Sequence, residues 1–244
     1  MALGHGPKTI LDNLVFHLDF GNPRCYGGSG LTSFDLSFSG NSTTSINNPT
    51  FSTTNKGYFE FTTGSSKQIV APSQGLSMSG AKSVFAWVKP NVITVELSGD
   101  RIIYFTPDGA TANDNKLVLA VTNDLADTTK WYIAGQHAND FLSTSVALGG
   151  AGYPVSSWYY IGWTYSGTGQ SPSPYVNGVG VTCRPAGTAF GYPANFNGFG
   201  IGARPDNTVF DYNGYIASVS VYKRALSPAE VLQNYNATKS RFGL

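Results

Sequence analysis

Residues 212–231, YNGYIASVSVYKRALSPAEV, form the stretch of sequence that decides the fold class. Val219 and Val221 alternate with serines, and this period of two predicts a strand with both valines in the core. The same alternation recurs earlier in the chain, at residues 14–18, 58–61, 83–88, 116–121 and 159–165. Recurrent short strands indicate an all-β protein.

The end of this stretch predicts a helix. Ser227 is a favourable N-cap, Pro228 suits the first helical position, and Glu230 can complete a capping box with the serine. Apolar residues follow at helical spacing, so a short helix is predicted over residues 228–237.

Turn signals separate the runs, and they predict two packed antiparallel sheets. Asn177-Gly178 lies between apolar residues, which is a strong hairpin signal because both residues tolerate positive φ. Trp87 and Trp163 are expected to point into the core together with the two valines. No change in composition marks a boundary, so residues 1–244 are predicted to form one domain, with an arm at 1–10 and a helix and tail at 227–244.

Several segments occur in the order found in laminin-G-like or pentraxin-type concanavalin A-like lectin/glucanase domains. Residues 83–90, SVFAWVKP, resemble one family strand, residues 175–178, YVNG, resemble a family hairpin, and residues 212–231 resemble the family's ending. The resemblance implies a two-sheet antiparallel jelly-roll sandwich with a short C-terminal helix. Residues 212–242 also resemble the closing segments of such domains in virion structural proteins of tailed phages.

The charge balance excludes a partner held by long-range electrostatics. Lysines and arginines number 15 and acidic residues 14, for a net charge of +1, and charged residues make up 12% of the chain. Neither nucleic acid nor an anionic membrane is therefore expected as a partner. The sequence shows no signal peptide pattern or apolar span, so we expect a virion protein assembled in the host cytoplasm.

The catalytic patterns that suit this fold class are missing from the sequence. Glucanases of the family carry two carboxylates on one strand, whereas Glu60, Glu96 and Glu230 are far apart. No Gly-x-Ser-x-Gly motif accompanies the three histidines, and His17 is interpreted as a structural residue. We therefore expect a protein that is not an enzyme.

Two groups of loop residues are the candidate metal ligands. Hard cations bind several oxygens, and the candidate carboxylates are Asp108, Asp114, Asp206 and Asp211. Many relatives bind calcium, but Ala217 and Ser218 stand where the family often has two acids. The sequence favours no cofactor, with calcium as the alternative. Cys25 and Cys183 are predicted to be reduced thiols, with a disulfide as the alternative.

Aromatic residues outside the predicted core are the candidate contacts for a ligand or partner. Trp87, Trp158 and Trp163 are assigned to the core, whereas the candidate contacts are Trp131, Tyr132, Tyr153, Phe190, Tyr192 and Phe196.

The favoured function is a virion structural role without catalysis. The protein would act as a capsid decoration or fibre protein that packs against other virion proteins, with copies of the chain forming a homo-oligomer. The alternative is a carbohydrate-binding lectin module for surface adhesion. Both hypotheses remain open at this level, because one fold hosts unrelated functions.

Overall fold

A computed structural model describes residues 7–76, 80–92, 100–107, 117–123, 130–137, 140–143, 148–149, 154–167, 172–182, 196–204 and 211–244. The strands of these residues are β1 Leu14–Asp19, β2 Thr32–Phe34, β3 Ser42–Ile46, β4 Thr50–Ser52, β5 Tyr58–Phe61, β6 Gln68–Pro72, β7 Lys82–Pro90, β8 Asp100–Pro107, β9 Leu117–Asn123, β10 Lys130–His137, β11 Asp140–Ser143, β12 Leu148–Gly149, β13 Tyr159–Tyr165, β14 Ser173–Val176, β15 Val179–Gly180, β16 Phe196–Ile201 and β17 Gly214–Tyr222. Helix α1 spans Pro228–Thr238, and short 3-10 helices lie at Thr54–Lys56 and Lys239–Phe242.

The strands form two antiparallel sheets, as predicted. One sheet has the order β15-β14-β13-β7-β17-β5-β4, with β1 also paired to β17. The other has the order β11-β10-β9-β8-β16-β6-β3-β2, with β12 also paired to β10. The first half of β17 pairs with β5 and its second half with β1, so both strands lie along one edge of it.

The core between the sheets follows the alternation of the strands. On β7, Val84, Ala86 and Val88 belong to this core. Trp163, Val219 and Val221 join them, as predicted.

The expectation for Trp87 is wrong in one respect. Its side chain is buried, but it belongs to a second apolar cluster on the outer face of the sheet that contains β7. Period-two geometry requires this, because Trp87 lies between two residues that point into the core.

The C-terminal segment covers part of that outer face. Helix α1 begins as predicted, with a capping box between Ser227 and Glu230, and ends one residue later than expected. Leu226 and Val231 are buried in the second cluster and attach the helix to the sheet. Neither the helix nor the 3-10 helices, within the described residues, has the length and apolar character needed to cross a bilayer.

Two further local predictions concern the turns and the thiols. Asn177 and Gly178 have φ values of 50° and 81° and join β14 to β15, which confirms the hairpin.

Cys25 is a buried free thiol, and burial raises its pKa to about 12. Cys183 lies outside the described residues.

Candidate functional site

Side chains from four neighbouring strands form a row on the outer face of the sheet that contains β7. The register pairs Thr50 of β4 with Glu60, Glu60 with Tyr215, and Tyr215 with Lys89. Inward-pointing neighbours such as Phe59 and Val88 belong to the core, so the residues of the row point outward.

Tyr58 and Trp158 extend the row into an aromatic surface. The ring centroids of Tyr58 and Tyr215 are 4.8 Å apart at 64°, and those of Tyr58 and Trp158 are 5.6 Å apart. The Lys89 ammonium lies 5.4 Å from the Tyr215 ring centroid. We name Tyr58, Glu60, Lys89, Trp158 and Tyr215 the outer-face platform.

The platform is reachable by solvent because the C-terminal segment ends beside it. The ring of Phe242, at the end of the last 3-10 helix, packs 4.7 Å from that of Trp158. Beyond this contact Tyr58, Glu60, Lys89 and Tyr215 are half-buried, whereas Trp158 is 8% exposed. The surface therefore has an aromatic base and a polar rim, built largely on strands.

The chemistry of the platform suits a ligand with apolar C–H faces and many hydroxyl groups. A carboxylate accepts hydrogen bonds and an ammonium group donates them. Glu60 can therefore accept a hydrogen bond from a ligand hydroxyl, and Lys89 can donate one to it. Tyrosine rings supply a large apolar contact and carry a polar hydroxyl of their own.

A polar cavity of about 240 Å³ lies on the same outer face, beneath the last 3-10 helix. Its walls include His17, Asp19, Trp87, Ser218 and Arg241. An ion pair of 2.5 Å joins Arg241 to Asp19. Burial lowers the pKa of the His17 imidazole, which favours its neutral form.

A catalytic arrangement is not formed by these groups. His17 Nδ1 lies 2.9 Å from Ser220 Oγ, but Asp35 accepts a hydrogen bond from the backbone amide of His17 and not from its ring. Among the described residues, therefore, no carboxylate orients this imidazole as in a serine hydrolase.

The glutamates do not form a glycosidase pair in the described part of the chain. Glu230 binds Arg224 at 2.6 Å, and this contact holds the pKa of Glu230 at about 2. Glu60 lies on β5, and Glu96 falls outside the described residues. Within the described residues no group of three or more His, Cys, Asp or Glu is placed to bind a metal ion.

Most predicted site residues fall outside the described part of the chain. These are Tyr153, Phe190, Tyr192, Asp108, Asp114 and Asp206. The backbones of Trp131 and Tyr132 lie in β10 and that of Phe196 in β16, which are not neighbouring strands.

Asp211 is the described member of the predicted metal ligands. It is buried, and its Oδ2 accepts a hydrogen bond from the Ser66 amide at 3.0 Å, so it holds the turn before β6. Burial raises the pKa of this carboxyl group. Its role as a ligand stays a prediction.

Sequence reasoning assigned the platform residues to strands and not to a site. Tyr58, Glu60 and Tyr215 occupy the outward positions of an alternating pattern, and this alternation was the feature of the sequence that could have indicated the platform. That signal was insufficient, because the sequence does not show how far the C-terminal helix covers the face.

Comparison with known proteins gives the fold a context. A family model described as the concanavalin A-like lectin/glucanases superfamily matches residues 36–232. A comparison with curated protein sequences found no significant match.

Solved structures with a similar fold include an arabinanase domain, a sialidase and a neurotoxin binding domain. Domain 4 of AbnA, an extracellular arabinanase from Geobacillus stearothermophilus, was solved with arabinotriose. It has a TM-score of 0.60 and 17% identity over 93% of this chain and 100% of that domain. Trypanosoma rangeli sialidase in complex with the inhibitor DANA has a TM-score of 0.63 and 14% identity over 98% of this chain, which spans 35% of the sialidase chain. The binding domain of botulinum neurotoxin serotype G has a TM-score of 0.57 and 16% identity over 91% of this chain and 50% of that one.

Proposed function

Since this chain belongs to the concanavalin A-like lectin/glucanases superfamily, we propose that it is a carbohydrate-binding module that acts without catalysis. The observation that carries the proposal is the outer-face platform, where Tyr215 lies between Glu60 and Lys89 and the Tyr58 ring packs against that of Tyr215. Arabinotriose bound to a domain of similar fold supports the proposal without identifying the sugar.

The binding mode follows from the arrangement of the platform. A sugar ring packs its C–H face on Tyr215 or Tyr58 while its hydroxyls bond to Glu60 and Lys89. Strands hold these residues in register, so little side-chain ordering is needed when the glycan binds. The opposite charges of Glu60 and Lys89 balance, which suits a neutral glycan.

A role in a virion is the second candidate, and it is compatible with the first. The resemblance of residues 212–242 to closing segments of phage virion domains supports it, as does an exposed apolar group at one sheet edge. Leu31, just before the edge strand β2, and Phe34, its last residue, are 50% and 54% exposed, and Phe38 is 92% exposed. In this proposal they pack against a neighbouring chain at the particle surface.

A glycan array tests the carbohydrate-binding proposal. Wild type is compared with the double variant Tyr58→Ala/Tyr215→Ala and with Phe38→Ala, which removes an exposed aromatic ring away from the platform. We expect wild type and Phe38→Ala to bind the same glycans and the double variant to lose them. An array on which wild type binds nothing contradicts the proposal. Recovery of the protein in purified particles, with binding to them lost in Phe38→Ser, would then favour the structural role.

A further inference from the structure

The polar cavity beneath the last 3-10 helix is separate from the platform. The ring of Phe242 packs 4.1 Å from Trp87, which lines the cavity, and 4.7 Å from Trp158, which belongs to the platform. Phe242 therefore lies between the two places. A ligand in the cavity would not need the platform in order to bind.

Polar residues occupy this part of a face that is otherwise apolar. The register of β1 and β17 pairs His17 with Ser220 and Asp19 with Ser218, all on the outer face. The neighbouring cluster on this face is built from apolar residues such as Trp87 and Tyr222. Burying polar groups beneath a helix is costly unless they are hydrogen-bonded, so their presence here needs an explanation.

Part of the hydrogen-bonding capacity of these groups is unused. Ser218 is only 8% exposed and lines the cavity, and its hydroxyl makes no hydrogen bond within the part of the chain that the structure describes. His17 bonds through Nδ1 to Ser220 and Val219, whereas its Nε2 has no partner among those same residues. Donor and acceptor capacity therefore faces the cavity, which is typical of a ligand site or a hydrated one.

Three charged residues line the cavity, Asp19, Arg241 and Lys56, and the first two form an ion pair with each other. Arg241 is held by Asp19, by the Asn55 carbonyl at 2.6 Å and by the Gly57 carbonyl, so its charge is engaged within the protein. The Asp19 Oδ1 also accepts a hydrogen bond from the Gly21 amide at 3.0 Å. Lys56 is exposed to solvent, so the buried part of the wall carries no unpaired charge, and an uncharged ligand suits it better than an ion does.

We propose that the cavity binds one small uncharged polyhydroxyl molecule, a free monosaccharide or a short polyol. Its hydroxyls bond to Ser218 Oγ, His17 Nε2 and Asp19 Oδ2. At about 240 Å³ the cavity is smaller than ordinary ligand pockets of roughly 300–1,000 Å³, which leaves room for about one sugar ring. The site goes beyond the proposed glycan platform and does not depend on it.

The indole N–H of Trp87 reports on the cavity. Its Nε1 donates a hydrogen bond to Thr238 Oγ1 at 2.8 Å, and both residues line the cavity. D-glucose, D-galactose, L-arabinose and glycerol are titrated separately while the indole resonances are followed by NMR, with Trp87 assigned through Trp87→Phe. We expect at least one of these compounds to shift the Trp87 resonance with saturation.

Variants separate this site from the platform. Ser218→Val removes the hydroxyl and narrows the cavity, so we expect at least tenfold weaker binding. Ser218→Ala keeps the room, so we expect a smaller, severalfold loss, and it serves if the valine variant does not fold. Tyr215→Ala is the matched control and should leave the Trp87 titration unchanged even if it abolishes glycan binding. Absence of a saturable shift with all four compounds, or equal affinity in wild type and both Ser218 variants, overturns the proposal.

Discussion

Lys82 begins β7 with its side chain completely buried. Its ammonium lies 4.5 Å from the centroid of the Tyr165 ring and donates a hydrogen bond to the Gly80 carbonyl. Burial disfavours the charged form and lowers the pKa of Lys82 to about 7. Between about pH 7 and pH 10.5, therefore, Lys82 is deprotonated in the folded protein, whereas in the unfolded chain, with an ordinary lysine pKa near 10.5, it still binds its proton.

The lowered pKa of Lys82 should make the unfolding free energy depend on pH. Between pH 7 and about 10.5 the unfolded state binds more protons than the folded state. The contribution of Lys82 to the unfolding free energy therefore increases as the pH rises through this range. Below pH 7 both states are protonated and the burial cost is fully present. We expect Lys82→Met to lose this rise, so that its stability relative to wild type falls by a few kcal/mol across the window, at about 1.4 kcal/mol for each unit of pKa shift.

Urea denaturation at pH 6, 7, 9 and 10.5 measures the effect. The exposed Lys223→Met is the matched control and should follow wild type. Parallel curves for Lys82→Met and wild type would show that the buried ammonium does not titrate in this window.

At the scale of the element, the C-terminal helix depends on its first turn and on one apolar anchor. Ser227 accepts from the Glu230 amide, and the Glu230 side chain accepts from the Ser227 amide at 2.8 Å. We expect Ser227→Ala to lower the unfolding free energy by about 1 kcal/mol through loss of the cap. Leu226 is 3% exposed, so Leu226→Ala should cost more, about 2–5 kcal/mol.

Chemical denaturation of the two variants checks this order. A greater loss for Ser227→Ala than for Leu226→Ala would indicate that capping, and not the docking of the helix, attaches the C-terminal segment to the sheet. Two unchanged midpoints would show that the segment is not attached in the way described.

The sequence was sufficient for elements with a local signal. The capping box at Ser227 and the positive-φ pair Asn177-Gly178 involve neighbours in the chain, and both were predicted correctly. The direction in which the Trp87 side chain points was harder to predict, because nearly every residue of β7 is buried on one face of the sheet or the other. A strand buried on both faces does not show which face meets the second sheet.

The candidate site needed long-range pairings that no local pattern contains. Glu60, Lys89 and Tyr215 meet only because β17 lies between β5 and β7. The loop aromatics were predicted instead because loops on a rigid scaffold often carry function. That prediction remains untested for Tyr153, Phe190 and Tyr192, which lie outside the described residues.

At the scale of the molecule, the two faces of the sheet that contains β7 have different roles. Its inner face forms the core with the second sheet, while its outer face carries the second apolar cluster, partly covered by the helix, and the platform that adjoins it through Trp158. Strand pairing fixes the relative positions of the platform residues, which favours a preorganised binding surface. The net charge of +1 gives no long-range attraction, so binding should depend on contacts at the platform.

Calorimetric titration tests this account most directly. The strongest glycan from the array is titrated into wild type, Tyr215→Ala and Phe38→Ala under the same conditions. We predict that Tyr215→Ala binds at least about tenfold more weakly, a loss of about 1.4 kcal/mol, while Phe38→Ala keeps the wild-type affinity. Equal affinities for all three proteins would contradict the claim that the outer-face platform binds carbohydrate.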